Sequence, residues 1–300
     1  TGSNAKFLSR DIATEFGGRG DEVHMYPLSF SEFMSVYDGN RYDGWNEYII
    51  YGGIPLVVLA ETEEQKLAIL DNLFRETYIS DIVKRNKIRN VGELEALLDI
   101  LSSAIGALTN PNKLQKTFRS VNRSKITATT ITKYIEYLED AFLIEEAVRY
   151  DIKGKSYIGT PLKYYFMDLG LRNARINYRQ IEITHSMENV IYNELRMRGF
   201  SVDVGNLTIV ENGKDGKAVK KQLEVDFICN KGSKKYYIQS AYQLGTEEKL
   251  AQEIRPFLKI KDCFKKIVIT SYTPKPCYTD EGILMMNVYD FLLNPELMDL

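Results

Sequence analysis

Between Ser186 and Tyr242 the chain carries a pattern that few folds accommodate. Ser186-Met-Glu-Asn-Val-Ile-Tyr-Asn-Glu-Leu-Arg-Met-Arg-Gly199 has helical periodicity and stops at a glycine. Further on, Leu223-Glu-Val-Asp-Phe-Ile-Cys229 and Tyr236-Tyr-Ile-Gln-Ser-Ala-Tyr242 read as strands joined by the turn Asn230-Lys-Gly-Ser-Lys-Lys235. A helix carrying Glu188 is thus followed by a strand with Asp226 at its middle, and then by a second strand. This arrangement commits the last third of the chain to a sheet with helices on it.

The rest of the composition is that of a core-forming globular protein: 300 residues, 44% hydrophobic and 27% charged, enough for roughly two domains. A formal net charge of −2 argues against a polybasic nucleic-acid binder, though not against a local basic patch. Cys229, Cys263 and Cys277 are too widely spaced for a disulfide framework or a zinc site, which fits a reducing cytoplasm. No apolar run reaches the roughly 20 residues of a membrane span, and no signal peptide opens the sequence.

Taken in order, the chain opens Thr1-Gly-Ser-Asn-Ala without a methionine, as if cut into a longer protein. Residues 10–16 read as a short helix stopped by Gly17-Gly18, and residues 22–26 alternate like a strand ended by Pro27. Ser29 and Glu32 then form a capping box at a helix start. A helix over 45–51 is broken by Gly52-Gly53-Ile54-Pro55. A long amphipathic helix follows, with Leu67, Leu70, Leu73, Phe74, Tyr78 and Ile82 on one face. Residues 91–170 predict helices at 92–105, 111–121 and 127–142, then strands at 143–150 and 162–166 around the polar loop 151–155. That order is the winged-helix plan. Beyond residue 171 the pattern returns to α/β, with strands near 200–204, 222–229, 235–242, 266–271 and 283–286. Helices are expected at 186–198, 246–258 and the end of the chain, with a hairpin tip or mobile loop over 210–222.

Several short motifs run in one order through almost the whole chain. They are Thr1-Gly-Ser-Asn-Ala, Leu8-Ser9, Gly18-Arg19, Pro27-Leu-Ser-Phe-Ser-Glu-Phe33, Gly52-Gly-Ile-Pro55, Lys163-Tyr-Tyr-Phe-Met-Asp-Leu-Gly-Leu171, Glu224-Val-Asp-Phe227 and Tyr237-Ile-Gln239. Together they resemble bacterial and archaeal P-loop ATPases of AAA type that carry a restriction-endonuclease-like domain at the C-terminus. The resemblance implies an α/β protein with an added helical part. Residues 1–55 would be the tail of the ATPase core, 56–90 a helical lid or linker, and 91–170 a winged helix. Residues 171–300 would be a mixed-sheet domain of the PD-(D/E)xK type.

In such a protein Ser3 or Asn4 would orient a water beside the terminal phosphate, and Arg19 would meet charge developing on it. ATP and Mg²⁺ belong to the intact protein. A glycine-rich loop ending Gly-Lys-Ser/Thr is missing from this sequence, where Gly216-Lys217 is followed by Ala218. The chain is therefore expected not to hydrolyse ATP alone, and no tightly bound cofactor is expected.

For the winged helix, Lys125, Lys133, Lys153 and Lys155 are the candidate phosphate contacts, helped by the hydroxyls of Thr127-Ala-Thr-Thr130. Its charge is mixed enough to suit a protein–protein module equally, and a homo-oligomer is a further possibility. The sheet domain has the layout of a metal-dependent nuclease: Glu188 and Asp226 as ligands, with Glu224 taken to alternate to the opposite face. Gln239 stands where a further acid belongs, and Ala241 where the lysine belongs. The centre therefore reads as degenerate, a fold kept for structure or binding, with Lys249 as the one substitute lysine. The plain alternative for Asp226 is a buried acid satisfied by neighbouring backbone. His24 and His185 have no partner spacing and read as ordinary surface or core residues. Two rival functions remain: a metal-dependent nuclease using Glu188, Asp226 and Gln239, and a non-enzymatic winged-helix DNA-binding regulator.

Overall fold

The computed structural model describes residues 23–121, 124–179, 181–212 and 217–300. They form two compact units: one of the described residues up to Glu146 together with Tyr164–Ile181, the other of Ala147–Lys163 and Glu182–Leu300. Ser3, Asn4 and Arg19 lie outside the described residues.

The first unit is helical. Helix α1 (Phe30–Val36) starts at the predicted capping box: Ser29 Oγ accepts from the Glu32 N–H at 3.3 Å, and Glu32 Oε2 from the Ser29 N–H at 2.8 Å. Residues 23–26 form no strand; an alternating pattern makes one only where a neighbour takes up its backbone groups. Helix α2 (Arg41–Tyr51) begins earlier than expected because Asn40 Oδ1 accepts from the N–H groups of Tyr42 and Asp43, at 2.9 and 3.1 Å. It ends at Gly52, whose φ of 76° suits a residue without a side chain. Phe30, Phe33, Trp45 and Tyr48 bury their rings between α1 and α2.

Helix α3 (Pro55–Val58) is a single turn. The predicted amphipathic helix is α4 (Glu63–Asn72), a π-helical section (Leu73–Ile79) and α5 (Ser80–Asn86), following one another without a break. Helices α6 (Val91–Ser103), α7 (Pro111–Val121) and α8 (Ala128–Asp140) follow, and their leucine and isoleucine faces are buried. Helix α9 (Leu169–Arg175) escapes the periodicity. Asp168 caps it, and its carboxylate also accepts from the Gly53 N–H at 2.8 Å. Asn173 Nδ2 donates to Ile49 O at 2.8 Å, and Arg172 Nε to Ser102 O at 2.8 Å, so α9 is pinned to α2 and α6.

Strands β1 (Ile144–Asp151) and β2 (Ser156–Phe166) come after three helices, in the order expected, but both join an eight-stranded sheet. The division between the units falls inside both strands. The other strands are β3 (Ser201–Asn212), β4 (Ala218–Lys231), β5 (Lys234–Ala241), β6 (Lys265–Thr270), β7 (Cys277–Tyr278) and β8 (Leu284–Asn287), in the spatial order β2-β1-β3-β4-β5-β6-β8-β7. The β1–β3, β5–β6 and β6–β8 pairs are parallel, while β3–β4, β4–β5 and β7–β8 are antiparallel. The second unit is thus a mixed sheet. Over 210–222 the structure has the hairpin of the two alternatives, and pairing runs out to Asn212 opposite Ala218. Lys220 and Lys221 are exposed while their backbones pair with Val210 and Ile209, so lysine content alone does not mark a loop.

Helix α10 (Ile183–Met197) lies on one face, where Tyr192 meets Phe227. Helix α11 (Glu247–Leu258) covers the other, where Ile254 and Phe257 join Leu207, Val225, Ile228 and Tyr237 in one core. Helix α12 (Val288–Leu293) packs beside α10. Asp203 pairs with Ile228 and Gly205 with Val225, so Val204 faces two residues, Asp226 and Phe227. This is a β-bulge on β4.

A candidate acidic centre

Glu188 projects from α10, Glu224 and Asp226 from β4, and all three converge on one ammonium group. Lys163, from β2, places Nζ 2.9 Å from Glu188 Oε1, 2.8 Å from Glu224 Oε1 and 3.8 Å from Asp226 Oδ1. The lysine side chain is 5% exposed and that of Glu188 9%, so these charges are desolvated and must compensate one another. Burial works to lower the Lys163 pKa, but the carboxylates of Glu188, Asp226 and Glu224 outweigh it and hold the ammonium charged. Asp226 is pushed upward, by burial first and then by the negative charge of Glu188. Its Oδ2 accepts from the Ser240 N–H at 2.8 Å.

His185, one helical turn before Glu188, has Nε2 3.4 Å from Glu182 and Nδ1 3.9 Å from Glu188. The Glu188 carboxylate raises its pKa, against the effect of burial. It borders the centre, a position its lack of partner spacing does not reveal.

The structure places Glu188 and Asp226 around one lysine, with Glu224 on the same side rather than the opposite face. Residues two apart on a strand share a face, and Glu224 and Asp226 both reach Lys163. Gln239 turns away from the carboxylates: its Nε2 donates to Glu253 Oε2 on α11 at 3.1 Å, and its Oε1 accepts from the Asp226 N–H at 3.4 Å. Ala241 is buried in the core beneath α11, and Lys249 is exposed on that helix. The cation of this centre is therefore Lys163. Sequence reasoning misses it as a site residue, since nothing in its spacing ties it to residues 188–226.

A divalent ion would compete with the Lys163 ammonium for Glu188 Oε1 and Glu224 Oε1. Among the described residues no group of three His, Cys, Asp or Glu side chains is arranged to hold a metal. As arranged, the donor set fits a resident ammonium ion rather than a resident Mg²⁺.

The candidate nucleic-acid contacts fall in both units. Lys125 and Lys133 are exposed in the first unit, and Lys153 and Lys155 in the second. Lys125 borders a cavity of about 380 Å³ with Asn90, Glu93 and Phe118. At the start of α8, Thr127 Oγ1 accepts from the Thr130 N–H at 3.2 Å, and Thr132 Oγ1 donates to Ala128 O at 3.1 Å. No helix of the described residues is long and apolar enough to cross a membrane.

Comparison with known proteins adds a family. Residues 42–182 match a domain of unknown function (DUF8612), and residues 1–34 match an AAA domain. An uncharacterized protein of Methanocaldococcus jannaschii, MJ1544, is 31% identical over 308 residues, covering 97% of this chain and 64% of that protein. A solved structure, protein VC1899 from Vibrio cholerae, aligns over 94% of this chain and 63% of that one, at 11% identity and a TM-score of 0.24, too low to bear on the fold. An uncharacterized protein of Haemophilus influenzae is 37% identical over 298 residues, 98% of this chain and 70% of that protein. On that similarity, the chain belongs to the same family as the Haemophilus influenzae protein.

Proposed function

We propose that this chain is the C-terminal portion of an AAA-type ATP-binding protein whose mixed-sheet unit is a nuclease-like fold that binds DNA or a protein partner without cutting. The observation that carries this is the seat of Lys163 Nζ among Glu188, Glu224 and Asp226. A tethered ammonium there supplies the positive charge that a hydrolytic centre draws from a metal ion. It supplies no metal-bound water. The AAA match over residues 1–34 supports the first half of the proposal, and the intact protein would then use ATP and Mg²⁺. This sequence has no phosphate-binding loop, so the chain by itself does not hydrolyse ATP.

Incubation of supercoiled plasmid with the chain and Mg²⁺ or Mn²⁺ tests the second half. The expected result is nicking no greater than for Asp226→Ala. Nicking well above that variant would instead favour a metal-dependent nuclease. One observation speaks for that alternative: a lysine does stand beside Glu188 and Asp226, supplied by β2 rather than by β5.

A further inference from the structure

Arg149 on β1 is a second buried cation of the sheet unit, and unlike Lys163 it makes no ion pair among the described residues. The residue is 6% exposed. Its Nη2 donates to the neutral amide oxygen of Asn206 at 2.6 Å, and its buried Nε has no acceptor. No carboxylate of the described residues forms an ion pair with it. A guanidinium carries five N–H donors, and burying it unpaired is among the costlier things a fold does. Such a group survives where a ligand supplies the missing charge.

Its surroundings indicate which kind of ligand. Asn206 is the cross-strand partner of Glu224, so Arg149, Asn206 and Glu224 line the sheet face that carries α10. Glu224 Oε1 is paired with Lys163 Nζ at 2.8 Å, which offsets part of the repulsion an anion at Arg149 meets from that carboxylate. Along the same face the ladder continues through Thr208 opposite Gln222 and Val210 opposite Lys220, with Gln222 and Lys220 exposed. Lys153 in the β1–β2 turn adds another cation, its Nζ 3.1 Å from Thr208 O.

We propose that Arg149 and Asn206 form an anion site that takes a phosphoryl group, with Lys220 and Lys153 on its approach. The planar guanidinium fork suits a phosphoryl group's paired oxygens. The proposal names the ligand chemistry of the unit read above as a binding module, and rests on that reading only in that the group is held and not cleaved. The plasmid assay decides cleavage, and the measurements below decide the site, so either can fail alone.

The test is titration of the whole chain with inorganic phosphate and, separately, with a short single-stranded deoxyoligonucleotide, followed by thermal melting and calorimetry. Wild type is expected to be stabilised by at least one of them. Saturation by the oligonucleotide that displaces phosphate identifies a nucleic-acid backbone; stabilisation by phosphate alone identifies a free phosphate or monoester. Arg149→Met should lose about tenfold or more in affinity, as removal of a charge-assisted donor does, yet melt no lower than wild type in phosphate-free buffer. Asn206→Asp, which gives Arg149 an internal carboxylate, should raise the melting temperature and abolish binding. Two results would overturn the proposal: wild type unaffected by both ligands, or Asn206→Asp binding them as wild type does.

Discussion

Lys163 contributes one positive charge where Glu188, Glu224 and Asp226 bring three carboxyl groups. Removing one partner from such a buried set leaves charges that neither water nor protein compensates, at a cost of about 3–5 kcal/mol. Lys163→Met is expected to lower stability in urea denaturation by that amount, and the further changes Glu188→Gln and Asp226→Asn should recover most of it. A Lys163→Met variant as stable as wild type would show that the acids do not depend on the lysine. At this scale the sequence is half legible. Glu188 and Asp226 are visible because an acid inside an apolar strand or helix face needs a reason. Lys163 is not, because its position on β2 gains meaning only when the sheet closes around it. Glu224 is misplaced for a geometric reason, a strand period of two misapplied: residues two apart point to one face, so Glu224 and Asp226 meet the same ammonium.

Among the elements, α9 ties the first unit together, and Asp168 is its fixed point. Burial raises the Asp168 pKa from 3.8 to about 6, against the backbone N–H groups of Gly53, Leu171, Gly170 and Ile54. The folded state therefore binds the proton more tightly than the unfolded chain. That contribution is complete below about pH 4 and is lost as pH rises through about 6, for a total on the order of 3 kcal/mol. Asp168→Asn, which keeps the cap acceptor and cannot ionise, should flatten the stability profile across that window. An unchanged slope would place the titration elsewhere. Next to it, a Cβ on Gly170 would press into the Tyr51 carbonyl oxygen, so Gly170→Ala should cost about 1–3 kcal/mol in thermal or chemical denaturation. Caps are the legible part of the elements: Ser29 and Glu32 mark their helix start by residue type and spacing alone. Helix α9 hides because seven residues are too few for periodicity to speak, and the reach of the β3–β4 ladder hides because the exposed Lys220 and Lys221 resemble a loop.

For the whole molecule, two compact units predict two separable responses. In hydrogen exchange, Lys163→Met should raise exchange first in α10, β4 and β5, and Gly170→Ala first in α2 and α9. Equal loss of protection everywhere from either change would mean one cooperative body. The alternation of helical and α/β grammar along the chain is readable, because periods of 3.6 and 2 are local. The assignment of β1 and β2 is not, since a hairpin following three helices carries no mark of the sheet it will enter. Lys163 on β2 has one more consequence. A centre completed by a metal is conditional, filled or vacant according to the ions its surroundings offer, and so open to chelators. A counter-ion joined to the chain by covalent bonds is present at one copy per molecule from the moment of synthesis. The sheet around it should be indifferent to the supply of metal, its integrity settled by translation rather than by diffusion.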